Sequence, residues 1–396
     1  MNYGWGAVGH DSLVAVLASI SRGEKILADA PYAELWVGAH AKAPALVAEP
    51  HRRVEFSAWI ERRYWRGTPL YRKHALPFLF KVLSVAAPLS IQAHPDKALA
   101  AKLHARDPAN YRDANHKPEL CCAVSRFEAL CGFKPRAALV ASVDACPELV
   151  GLVGRGRVDA LRSAAGGGAA RDALRGLYGA LMRSDEAAAA RAVRALAGRL
   201  ALGAGSADDA LAARLHRHYP EDVGVFSAYL MNHIVLAPGE AIFLPAGEPH
   251  AYLKGDCVEA MACSDNVVRA GLTPKFKDVD VLCDMLSYGM GPPAVLPPAP
   301  TKTLYAPPVP EFRLLRLELA AGEAADLPPT PSFGVLVCVS GAAICVDSTD
   351  HRYALRTGAT TLVLPDTTLT LTASAPCLLF CCQEQVDAAA DEIPAQ

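Results

Sequence analysis

The chain has 396 residues, 52% of them hydrophobic and 20% charged, with a formal net charge of -2. That length predicts two or three domains, and that balance excludes a disordered chain. It also excludes an overall basic field that would recruit nucleic acid, so an anionic ligand has to be held by a local cluster of Lys and Arg.

The chain opens on Met1 and the polar, Gly-rich stretch YGWGAVGHDS. A basic start and an apolar run are both missing there, so no secretory signal is expected and the protein reads as cytoplasmic. Residues 1 to about 138 mix short apolar runs with turns. FLFKVLSVA (78–86) and LSIQAH (89–94) read as strands. In the second, alternate side chains share a face, so Ser90, Gln92 and His94 point one way and Leu89, Ile91 and Ala93 the other. Three polar groups on one face need either solvent or a ligand, and a metal ion is such a ligand. NHKPELCCAV follows, with Lys117, Glu119 and Cys121 alternating into an apolar run. A carboxylate entering a core is costly unless it pairs with a cation or ligates a metal.

Residues 139–222 change texture. In DALRGLYGALM and EAAAARAVRALAGRLAL, apolar residues recur every three or four positions, which predicts a helical insertion. Glycines 166–168, and Gly203 with Gly205, are predicted to break its helices. Its least polar stretch, 187–202, contains Arg191, Arg194 and Arg199, so it does not span a bilayer. From about 223 strand texture returns in VFSAYLMNHIVL, a turn at APGE, and then AIFLPAGEPHAYL, which predicts a β-barrel or jelly roll. That last run delivers His250 between Glu248 and Tyr252. Residues 291–310 are proline-rich and read as a semi-rigid linker. The remainder, 311–396, is again strand-like and predicts a second, smaller barrel, with a frayed tail at QVDAAADEIPAQ. Twelve cysteines without a CxxC pair read as reduced thiols, not as disulfides or a thiolate metal site.

Gln92, His94, Glu119 and His250 together form a nitrogen and oxygen donor set with one negative charge. Such a set suits a catalytic zinc with open positions, although donor identity alone also admits iron, manganese or cobalt.

Several blocks carry a resemblance to a known family: PYAELWVGAHAKAP (31–44), LPFLFKVLSVAAPLSIQAHPDKALAAKLH (76–104), YRDANHKPEL with FEALCGFKP (111–135), and APGEAIFLPAGEPHAYLKGDCVEAMACSDNVVRAGLTPKFKDV (237–279). Through them the chain resembles the type I phosphomannose isomerases, and GEAIFLPAGEPH is similar to the second metal-ligand hairpin of cupin barrels. The resemblance implies a mainly β fold: a catalytic cupin (jelly-roll) domain over 1–138 and 223–300, an all-α helical insertion over 139–222, and a degenerate cupin-like β domain over 301–396. Where the first barrel has LPAGEPH, the second has LPDTTLT (364–370), without histidine, so no metal is expected there. The resemblance also implies one zinc ion on Gln92, His94, Glu119 and His250, an active-site arginine at Arg269, and an acid/base or substrate-contact role for Lys117. Two departures lie beside the ligands: Gly4 stands where the family has Asp, and Gly247 where it has Asn.

The implied activity is the interconversion of mannose 6-phosphate and fructose 6-phosphate, an aldose–ketose isomerisation within mannose metabolism. Moving a proton between C1 and C2 through an enediol(ate) needs an electrophile for the oxyanion and a base near the carbons. Arg269, permanently cationic, suits stabilisation of the enediolate or bidentate capture of phosphate. Lys117 and His116 compete for the base. Lys81, Ser90 and Lys275 are candidate phosphate contacts, Tyr252 and Glu259 candidate pocket walls, and Trp5 another wall. Other histidines, His40 among them, are expected on the surface or in the core. The expected partner is a small sugar phosphate, with no nucleic acid and no membrane, bound by a monomer. A non-enzymatic sugar-phosphate sensor and an Fe(II) dioxygenase are the rival classes. The absence of a basic helix-turn-helix disfavours the first, and the additional Gln92 disfavours the second.

Overall fold

Strand His250–Ala262 organises the first half of the molecule, because its two ends belong to different sheets. The computed structural model describes residues 1–49, 52–64, 76–203 and 205–385. From Gly255 to Ala262 the strand pairs antiparallel with Phe78–Val85 on one side and Glu119–Ala123 on the other. Glu34–Gly38 lies beyond the first, and Ala241–Leu244 then Val295–Leu296 beyond the second. From His250 to Lys254 it pairs instead with Phe127–Phe133, which carries Met231–Leu236, and at His250 with Ile91–Ala93, which carries Val268–Gly271. The changeover falls at Gly255, at φ +115°, where a Cβ would lie 2.5 Å from the Arg126 carbonyl oxygen. Only glycine fits there.

Every residue of Phe78–Val85 is buried. Phe78, Phe80 and Val82 pack outward against Phe312, Leu314 and Phe333, while Leu83 and Val85 pack inward with Phe127, Tyr252 and Cys257. Burial on both faces explains an almost unbroken apolar run in which Lys81 is the only charged residue. The outward partners belong to a seven-stranded sheet whose spine is Arg313–Leu319, Leu369–Gln383 and Gly334–Asp347. That sheet has its own core of Leu317, Leu336, Leu371 and Leu379.

Helices run from Arg136–Asp144 to Ala207–His218. Glu186–Ala201 is representative: Asp185 caps it by accepting from the Ala188 N–H, and Ala189, Val193, Leu196 and Leu200 form one buried stripe. These helices cover the outer face of the second sheet at Ile91, Phe133, Ala251 and Val268.

Three sequence expectations need correction. The run VFSAYL is helical: Val223–Phe226 is a 3-10 turn and Ser227–Leu230 an α-turn, so the strand begins only at Met231. All of these residues are buried, and an apolar run buried on every side has no period to read. Glycines 166–168 do not break a helix but form the first turn of Gly166–Met182, and the break lies at Ala164 and Ala165. The proline-rich segment is partly structured. Val295–Leu296 extends the first sheet and Lys302–Tyr305 pairs with Arg313–Leu319, both at sheet edges where proline's missing N–H is tolerated. The tail from residue 386 lies outside the described residues, as do His51 and His74. All twelve cysteines are free and all are buried except Cys263, which is half-buried. Among the described residues, no helix is long and apolar enough to cross a membrane.

Candidate metal centre and active-site cleft

A cleft of about 620 Å³ opens between the sheets and the loops around Asn110 and Thr273. Lys81, Ser90, Gln92, Lys117, Glu119, Tyr252, Glu259, Arg269 and Lys275, all singled out from sequence, line it. Strand register brings them together across the chain. Gln92 pairs with both His250 and Arg269, and Lys81 lies between Trp36 and Glu259.

His94, Glu119 and His250 are almost fully buried, with donor atoms within 4.8 Å of one another, and of the three Glu119 lines the cleft. His94 Nε2 is 3.4 Å from Glu119 Oε1, and His250 Nε2 is 3.2 Å from Glu119 Oε2. Neither Nε2 nor Oε2 has a hydrogen-bond partner. Both Nδ1 atoms are occupied, donating to backbone carbonyls: His94 to Asn266 O at 2.7 Å and His250 to Glu248 O at 2.9 Å. The second hydrogen bond fixes each ring in the tautomer that presents an Nε2 lone pair to a common point. Burial lowers the His94 pKa to about 4, which keeps that lone pair free. Burial opposes the Glu119 charge, but Lys117 and His94 outweigh it and hold the carboxylate well below the usual range. Orphaned buried donors that converge in this way fit a bound cation, and Gln92, which lines the cleft, pairs in register with His250.

The cations of the cleft divide into two groups. Lys81 donates to Glu259 Oε2 at 2.9 Å, Lys117 Nζ lies 3.2 Å from Glu119 Oε1, and Lys42 donates to Asp265 at 2.8 Å. Burial disfavours the Lys81 charge, yet Glu259 holds its ammonium well above the usual lysine range. Tyr252 also donates to Glu259, at 2.8 Å. Arg269, Arg112 and Lys275 have no carboxylate partner among the described residues. Burial alone lowers the Arg269 pKa, and a half-buried guanidinium faces the cleft with no carboxylate paired to it among the described residues. His116, the rival base, does not line the cleft. Its Nε2 lies 2.6 Å from Glu311 Oε1, facing the C-terminal sheet.

Several cleft residues escaped the sequence reading. His40, expected on the surface or in the core, lines the cleft edge-on to Trp36 and 3.6 Å from Asp265. Burial lowers its pKa. Asp113 accepts from Ser264 Oγ, the Asp265 N–H and the Asn266 side chain, which fixes the carbonyl that orients His94. Asp113 lies in the YRDANHKPEL block, but its role depends on contacts with residues about 150 positions away.

The sequence matches the family phosphomannose isomerase type I, catalytic domain, over residues 1–136, and phosphomannose isomerase type I, helical insertion domain, over 152–231. It is 44% identical to mannose-6-phosphate isomerase of Rattus norvegicus, over 80% of each chain. It is 40% identical to mannose-6-phosphate isomerase 2 of Arabidopsis thaliana, over 86% of this chain and 82% of that one. Among solved structures, a mannose 6-phosphate isomerase bound with zinc and yttrium superposes with a TM-score of 0.82 at 29% identity, covering 98% of this chain and 97% of that one. A mutant of phosphomannose isomerase from Salmonella typhimurium gives 0.83 at 29% identity, with the same coverage. By sequence and by fold together, this chain belongs to the type I phosphomannose isomerase family.

Proposed function

We propose that the protein is a zinc-dependent mannose-6-phosphate isomerase, interconverting mannose 6-phosphate and fructose 6-phosphate on a cupin (jelly-roll) scaffold. The observation that carries this reading is one juxtaposition: an unpaired, half-buried Arg269 guanidinium set in register with Gln92, above the orphaned donors of His94, Glu119 and His250. One zinc held by Gln92, His94, Glu119 and His250 supplies a Lewis acid for the sugar oxygens. Arg269 opposes the charge that develops on O1 and O2 as the enediolate forms. Lys117, acting as the neutral amine, takes the proton from C2 of the aldose and returns it to C1, while the O2 hydroxyl proton passes to O1, so that the amine is regenerated; the ketose follows the same path in reverse. Lys81 and Glu259 neutralise each other and, with Tyr252, form a fixed polar wall for the hydroxyls. Ser90, Lys275 and the exposed Arg112 serve the phosphate. Twelve free thiols fit a reducing compartment such as the cytoplasm.

The test is a coupled assay with mannose 6-phosphate. Turnover is expected, lost on chelation and restored by zinc. Unchanged turnover in excess chelator, after dialysis, contradicts a zinc-dependent isomerase.

A further inference from the structure

The turn that follows Arg269 is held by a residue outside both sheets. Asp222 sits between helix Ala207–His218 and the Val223–Phe226 turn. Its Oδ1 accepts from the Gly224 N–H and the Leu272 N–H, each at 2.7 Å, and its Oδ2 accepts from the Thr273 N–H at 3.1 Å. Leu272 is fully buried and has φ +54°, a left-handed conformation that a leucine holds only when its surroundings impose it. Next to it the two segments touch backbone to backbone. A Cβ on Gly224 would lie 2.6 Å from Leu272 N, and a Cβ on Gly271 would lie 2.6 Å from the Gly224 Cα. The strained turn leads directly to Thr273 and Lys275 on the cleft rim, and the Thr273 hydroxyl accepts from the Lys275 N–H at 3.1 Å.

We infer that the helical insertion takes part in substrate binding through Asp222, a positioning residue whose carboxylate fixes the Leu272–Lys275 turn on the phosphate side of the cleft. This rests on the proposed sugar-phosphate reading of the cleft. Asp222 touches no substrate. It sets where Thr273 and Lys275 stand, so its loss weakens ground-state binding more than it slows the chemistry.

The experiment compares Asp222→Ala and the milder Asp222→Asn in the full-length chain. In the second, an amide N–H faces the Thr273 N–H, so one contact becomes a clash of donors. Asp209→Ala is the control. Asp209 lies in the same helical insertion and is buried, but its side chain is bonded to Tyr229 and Arg199 and, among the described residues, not to this turn. Both Asp222 variants are expected to raise KM for mannose 6-phosphate about tenfold with kcat within about threefold, as loss of uniform binding does. The dissociation constant for inorganic phosphate, measured by calorimetry without turnover, is expected to rise in parallel. Asp209→Ala is expected to lower Tm while leaving both constants near wild type. Wild-type KM and phosphate affinity in Asp222→Asn overturn the inference, as does an equal rise in Asp209→Ala. If the wild type does not isomerise mannose 6-phosphate, the functional reading fails on its own, and the calorimetric comparison still decides the role of Asp222.

Discussion

At the scale of single residues, the division between paired and unpaired cations assigns the roles. Lys81 and Lys117 each face a carboxylate, while Arg269 faces none among the described residues. A guanidinium cannot serve as a base at neutral pH and presents five N–H donors in a fixed plane. Arg269→Lys is therefore expected to lower kcat by about a hundredfold or more, with a smaller change in KM. Steady-state kinetics with mannose 6-phosphate checks it, and a near-normal kcat with a greatly raised KM makes Arg269 a phosphate clamp instead. His94 and Glu119 were legible in sequence because alternation in LSIQAH and NHKPEL put polar groups where a metal, a charge partner or solvent has to account for them, whereas His250 was legible only through the resemblance of its hairpin to cupin barrels. His40, Asp113 and Asp222 were not. Each acts through partners far away in sequence, and no local period encodes such a pairing.

At the scale of elements, the helical insertion is fastened to the sheets by charge as well as by its apolar stripe. Glu128, on strand Phe127–Phe133, is 5% exposed and lies 2.7 Å from Arg214 of helix Ala207–His218, with Arg126 and His233 alongside. Burial pushes its pKa up, but the two guanidinium groups outweigh this and bring it down to about 2. A carboxylate with a depressed pKa stabilises the fold above its ordinary pKa, and that stability is lost as pH falls through the folded value. The contribution is therefore expected in full above pH 4.5 and to disappear toward pH 2. Glu128→Gln is expected to cost on the order of 1–3 kcal/mol at pH 7, and its deficit relative to wild type is expected to shrink across that acid window. Urea unfolding at pH 7 and pH 3 checks this, and a deficit that grows on acidification contradicts it. The helices themselves were readable from their 3.6-residue stripe. VFSAYL was misread because full burial erased any period and Asp222, which caps that turn, signals only locally.

At the scale of the whole molecule, the site exists because strand His250–Ala262 returns, across the helical insertion, to pair with strands more than a hundred residues earlier. The order of textures along the chain was legible, but the register that sets Gln92 beside His250 and Lys81 beside Glu259 was not, since it is decided by packing on both faces of each strand. The C-terminal sheet covers the outer face through Phe312, Phe333 and Phe380. The proposed activity depends on His94, Glu119 and His250 holding one metal ion. Metal analysis of the purified wild type, His94→Ala and His250→Ala, alongside the isomerase assay, tests it most directly. One zinc per chain is predicted for the wild type, with both folded variants metal-poor and inactive. Full zinc occupancy in both variants would contradict it.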